Sequence, residues 1–162
     1  MTREIALMKV LNTMLALGLL VLNGSIKAET LEAGKPVAMV VYRSPSCKCC
    51  GKWLEHIKNN NFTVKDIVTD DVQTVKDKYG VSAAMASCHT AIVDGYVIEG
   101  HVPANDIMNL LKTKPKIAGI AVPGMPKGTP GMEMGAKKDA YKVVSFDKEN
   151  NYKVFNSYPE SQ

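Results

Sequence analysis

The chain has 162 residues, with 20 Lys and Arg against 16 Asp and Glu, so its formal net charge is only +4. Acidic and basic residues alternate, and no Lys/Arg run is interleaved with aromatics, which excludes nucleic-acid binding as the organising function. No Ser/His/Asp arrangement, phosphate loop or carboxylate pair stands out, and the chemistry rests with four cysteines, three histidines and nine methionines.

Residues 1–28 read as an export signal. Arg3 and Lys9 give a basic start, Val10 to Leu22 is an almost uncharged Leu-rich run, and Ala28 is a small residue at which cleavage fits. The run is short for a membrane-spanning helix, which needs about 20 apolar residues, so no membrane association is expected after cleavage. The expected mature domain is 29–162, a single unit of 134 residues. The signal holds three basic residues and one acidic residue, so the remainder carries +2. Export places the thiols in an oxidising compartment, where cysteines are disulfide-bonded, metal-bound or redox-active.

Pro36 to Tyr42 is a near-continuous apolar run of strand length, which predicts a strand buried on both faces. Ser44 and Pro45 break it, and Cys47, Cys49 and Cys50 follow. From Gly51 the period changes: Trp53, Leu54 and Ile57 share one face of a helix that ends at the Asn59–Asn61 run. Phe62 to Val68 reads as a second strand, and Asp70 or Asp71 as the N-cap of a helix stopped by Gly80. Small residues from Val81 to Ser87 lead to Cys88 and His89. Thr90 to Val93 and Tyr96 to His101 flank Asp94-Gly95, a strong hairpin signal. A helix then runs through Ile107, Leu110 and Leu111.

This order, strand, C-x-x-C at a helix start, strand, helix, hairpin, helix, resembles the thioredoxin fold, with Cys47 and Cys50 as the C-x-x-C pair. In that likeness His89 stands where thioredoxins carry a cis-proline, and all four cysteines and His89 converge. The expected class is therefore α/β, a thioredoxin-like fold with two additions. One is the Pro/Gly/Met-rich loop from Val122 to Gly135, too irregular for helix or strand. The other is a C-terminal β-hairpin from Tyr141 to Phe146 and Tyr152 to Phe155.

Three thiols in C-x-C-C, a fourth thiol beside an imidazole, and the loop methionines Met125, Met132 and Met134 make a soft donor set, which selects Cu(I) over harder ions. Zinc sites of the four-cysteine kind use cysteines two to four residues apart, so adjacent Cys49 and Cys50 suit bridging thiolates in a small copper cluster better. Cys47 and Cys50 can also cycle between dithiol and disulfide, and His89 tolerates Cu(II) as well as Cu(I). The alternative of two plain structural disulfides stays open beside this. Of the methionines, Met132 is the favoured ligand, while Met39, Met85 and Met108 read as core. His56 reads as helix surface or boundary, and His101 is a candidate only for the rim of the site.

The C-x-C-C loop after a strand, Cys88-His89-Thr90-Ala91 before a hairpin, the Glu99-Gly100-His101-Val102-Pro103 run and the Val122–Glu133 segment together resemble the CopG-type periplasmic copper-resistance proteins. The likeness runs from about Val37 to the terminal hairpin. It implies copper handling in a Gram-negative envelope, with Cys47, Cys49, Cys50, Cys88 and His89 as ligands and Cu(I)/Cu(II) redox activity. Cys47 and Cys50 are the candidate catalytic residues, and other periplasmic copper-handling or electron-transfer proteins the candidate partners. A non-redox copper store or chaperone is the first alternative, and a thiol–disulfide oxidoreductase the second. Against the latter, His89 replaces the proline that helps thioredoxins bind substrate chains and exclude metal.

Overall fold

The structure, a computed structural model, describes residues 34–149 and 151–161, so the signal segment expected at residues 1–28 lies outside the described residues. In chain order the elements are β1 (Val37–Arg43), α1 (Lys48–Lys58), β2 (Phe62–Val68), α2 (Val72–Lys78), β3 (His89–Val93), β4 (Tyr96–Glu99), α3 (Ala104–Thr113), β5 (Gly119–Ala121), β6 (Tyr141–Phe146) and β7 (Tyr152–Tyr158). The strands form one mixed sheet in the order β2-β1-β3-β4-β5-β6-β7. The α/β class expected from the sequence is the one found. Among the described residues no helix is long and apolar enough to cross a membrane.

Local signals account for most of this. β1 and β2 are parallel, as the crossover through α1 requires, and β3 lies antiparallel on the other side of β1. The Asp71 carboxylate accepts the Thr74 N–H at 3.0 Å and starts α2. Asp94 (φ 46°) and Gly95 (φ 80°) both take the left-handed conformation that a two-residue hairpin turn needs, and they fix the β3–β4 register. The first N–H of α3, on Ala104, has no cap from its own segment; it donates to Nε2 of His56 on α1 at 3.1 Å.

The sheet has two unequal faces. Trp53, Leu54 and Ile57 of α1 and Ile107, Leu110 and Leu111 of α3 pack on Met39, Val41, Ala91, Val93, Ile98 and Ile120. On the other face Val81 and Met85 cover Val97, Ala121 and Phe146, and Tyr79 reaches Tyr42, the ring centroids 6.3 Å apart. This second cover is a seven-residue helix and a short segment. It explains why β1 is not buried on both faces as its composition predicts: Met39 and Val41 are buried, whereas Ala38 is exposed and Val40 and Tyr42 are half-buried.

β5 adds to the elements read from the sequence. A Cβ on Gly119 would lie 2.1 Å from the Val97 carbonyl oxygen, so glycine lets the short strand approach β4. β5 in turn pairs with β6, so the terminal hairpin continues the main sheet. Its second strand runs on to Tyr158, whose hydroxyl donates to Asp106 Oδ2 of α3 at 2.7 Å.

Candidate metal centre

Strand register brings the two cysteine-bearing stretches together. Arg43, the last residue of β1, is opposite His89, the first of β3, so the loop after β1 and the residue before β3 meet at one end of the sheet. The loop turns at Ser44, whose carbonyl accepts the Cys47 N–H at 3.2 Å. Cys47 is then the N-cap residue of α1, and Cys49 and Cys50 lie in its first turn.

Two groups of donors result. The sulfurs of Cys47, Cys49, Cys50 and Cys88 all lie within 4.8 Å of one another, and so do the donor atoms of Cys88, His89 and His101. Cys88 belongs to both. Its Sγ is 3.2 Å from His89 Nδ1 and 3.0 Å from His101 Nε2. Cys47 and Cys50 are joined as a disulfide, with Cys49 Sγ 3.5 Å from Cys47 Sγ, while Cys49 and Cys88 are free thiols among the described residues. The expected convergence of Cys47, Cys49, Cys50 and Cys88 is present in this geometry, and His89 joins it through Cys88.

His101, expected only at the rim, reaches Cys88 itself. Its Nδ1–H donates to the Pro130 carbonyl at 2.6 Å, which leaves the Nε2 lone pair turned to Cys88. The signal was present in the Asp94-Gly95 turn: the register pairing Thr90 with Glu99 places residue 101 across from residue 88 when continued by two positions. Pro130 belongs to the Pro/Gly/Met-rich loop, so that loop orients a candidate ligand. It docks through Gly131, where a Cβ would fall 2.7 Å from the Trp53 nitrogen and 3.1 Å from the Cys49 carbonyl oxygen. Met132 follows, half-buried, whereas Met125 and Met134 are 55% and 57% exposed. Met39 and Met85 are buried and Met108 is partly buried against the core, as expected.

Burial sets the protonation of the two imidazoles. Burial lowers the pKa of His89 well below the usual imidazole value, with His101 and Lys76 adding to the effect, and burial also lowers that of His101. Both rings are therefore neutral at pH 7 and able to donate a lone pair. His89 meets Cys88 with Nδ1, while its Nε2 is buried with no hydrogen-bond partner among the described residues. Trp53 lies under the site, its ring centroid 4.2 Å from that of His89 and its Nε1–H donating to the Val102 carbonyl at 2.9 Å. The residues thus fit a soft or borderline metal ion.

Burial, with Cys49 alongside, pushes the Cys88 thiol up to about 12. A cation must displace that proton, so metal uptake releases acid. In the metal-free protein, alkylation of Cys88 at pH 8 is expected to be roughly tenfold or more slower than for a free thiol of pKa near 8.5. Its rate should still be climbing at about pH 11, as followed by peptide mass spectrometry. A rate that levels off near pH 9 would show an ordinary thiol.

Known proteins resemble this chain in sequence and fold. A family model described as a protein of unknown function, DUF411, matches residues 85–132, which include Cys88, His89, His101 and Met132. No curated protein matches. Two solved structures are similar over 77% of this chain. One, described as copper resistance protein copG, form 2, is 45% identical with a TM-score of 0.74 and is covered over 100% of its length. The other, described as form 1, is 46% identical with a TM-score of 0.73 and is covered over 99%.

Proposed function

The chain belongs to the CopG family of copper resistance proteins, and from that membership we propose that it binds copper at the Cys88-centred site and passes it between Cu(I) and Cu(II) in the periplasm. The observation that carries this reading is the double membership of Cys88 in a four-sulfur group and a sulfur–imidazole group. Thiolates select Cu(I), and imidazole accepts Cu(II) as readily. A Cys88 thiolate common to both groups would let these residues hold more than one copper. Cys47, Cys49, Cys50, Cys88 and His89 are the ligands, His101 joins them, and Met132 adds a thioether from the docked loop. The segment 1–28, read as an export signal, supports the periplasmic location.

The Cys47–Cys50 disulfide places a redox step before loading. Two electrons and two protons convert it to two thiols, and copper then displaces the protons. A thiol reductant of the same compartment supplies the electrons. Each Cu(I) that becomes Cu(II) gives one electron to an acceptor, so the partners are a copper donor and an electron-transfer protein. The strand and helix order from β1 to α3 supports the thioredoxin-like reading and keeps Cys47 and Cys50 as the redox-active pair.

The test is anaerobic loading of reduced protein with Cu(I) in the presence of excess zinc, followed by stepwise oxidation with ferricyanide. The redox reading predicts that copper is retained over zinc, and that an electron paramagnetic resonance signal appears on oxidation and disappears on re-reduction with metal still bound. Retained Cu(I) without such cycling would establish a store or chaperone. No copper, with an ordinary two-electron dithiol titration, would establish thiol–disulfide exchange.

A further inference from the structure

A buried ion pair lies on the sheet face opposite the donors. Glu99 of β4 is fully buried and Lys76 of α2 nearly so, and the Lys76 ammonium donates to Glu99 Oε1. Such a pair is weak ground for stability, since well-packed apolar residues of similar size serve as well or better. Its remaining bonds indicate another role. Glu99 Oε1 also accepts the Ser87 N–H at 2.6 Å, and Glu99 Oε2 accepts the Thr90 hydroxyl at 2.6 Å. Lys76 donates to the same Thr90 oxygen at 3.1 Å. Ser87 and Thr90 are the residues on either side of Cys88-His89.

Ser87 is held a second time by its hydroxyl, which donates to the Gly124 carbonyl of the Pro/Gly/Met-rich loop. It packs over Gly100, where a Cβ would fall 2.5 Å from Ser87 Oγ. Thr90 and Glu99 are cross-strand partners, so the carboxylate reaches Ser87 from a fixed point on the hairpin. His89 alternates with Thr90 along β3 and turns its ring to Trp53 on the α1 face.

We propose that Glu99 and Lys76 are positioning residues that clamp Ser87 and Thr90, and thereby hold Cys88 within reach of both donor groups. The clamp grips the backbone on one side of Cys88-His89 and a side chain on the other, and none of its bonds engages a donor atom. It therefore leaves every sulfur and imidazole free for the metal. This proposal rests on the copper reading for its purpose, but its geometry is testable without copper.

The test compares Lys76→Met/Glu99→Leu, which removes both buried charges together, with Lys76→Met/Glu99→Gln, which keeps an oxygen for the Ser87 N–H, and with Thr90→Val, which loses only the hydroxyl. Two quantities are read on full-length protein: the alkylation rate of Cys88 in the metal-free state, and the Cu(I) retained against bicinchoninate. The Leu variant should expose Cys88, raising the rate about tenfold, and lose the copper that depends on Cys88, His89 and His101. The Gln variant should stay within about twofold in both, and Thr90→Val should alkylate about threefold faster with its fold intact. Wild-type rates and copper capacity in folded Leu and Val variants would overturn the clamp. Where the Leu variant does not fold, Thr90→Val alone decides. A wild-type chain that retains no Cu(I) would sink the copper reading and leave the clamp to be judged on the alkylation rates.

Discussion

Cys88→Ser is expected to cut the Cu(I) held by the reduced chain to less than about half, a larger loss than Cys49→Ser produces, because an alcohol is a poor donor to a soft ion. Cys49 belongs to the four-sulfur group alone, whereas Cys88 belongs to that group and to the one with His89 and His101. Removing Cys49 leaves three sulfurs and an intact sulfur–imidazole group. Removing Cys88 leaves two imidazoles without a sulfur and separates them from the remaining cysteines. Metal analysis of the two variants, reduced and loaded side by side, reads the difference. Equal losses would show that Cys88 is an ordinary member of one site. His101→Ala provides a second comparison: it should weaken the imidazole-bound copper while leaving metal on the four sulfurs.

Trp53→Ala should be the most damaging single substitution to the fold. Truncation of a buried aromatic costs about 3–5 kcal/mol, which for a domain of this size lowers the unfolding temperature by roughly 10–15 °C. Trp53 is fully buried in the main core, and loss of its Nε1–H strips the Val102 carbonyl of a donor. The effect reaches the metal centre, because the His89 ring rests against the indole and Gly131 closes on the Trp53 backbone. Thermal unfolding followed by circular dichroism measures the first effect and copper retention the second. Trp53→Phe keeps most of the apolar volume and should recover more than half of the lost stability. A Trp53→Ala protein that melts within about 3 °C of wild type would mean that the core closes over the gap.

The sequence made the site legible because its signals are local and reinforce one another. The apolar run before Cys47, the helical period from Gly51, the Asp71 cap and the Asp94-Gly95 turn each define one element, and their order leaves few ways to stack β1 against β3. His101 was hidden by chain distance rather than weak patterning. It follows a strand and precedes a helix, so only the hairpin register, carried past the last paired residues, reveals that it faces Cys88. β5 was hidden by its length: Gly119–Ala121 is too short to show a period, and its place depends on Gly119 fitting under the Val97 carbonyl. β1 was overread, since an apolar run records what a strand tolerates, while the extent of α2 decides how much of its second face is covered. The ion pair of Lys76 and Glu99 lay beyond sequence reasoning altogether, because neither residue differs by pattern from a solvated charge.

Native mass spectrometry of the wild-type chain, titrated anaerobically with Cu(I) before and after reduction of the Cys47–Cys50 disulfide, tests the Cys88-centred copper site most directly. More than one copper per chain is expected after reduction, bound cooperatively with release of protons, with a smaller uptake while the disulfide is intact. A single copper per chain, or the same uptake in both redox states, would contradict a Cys88-centred copper site.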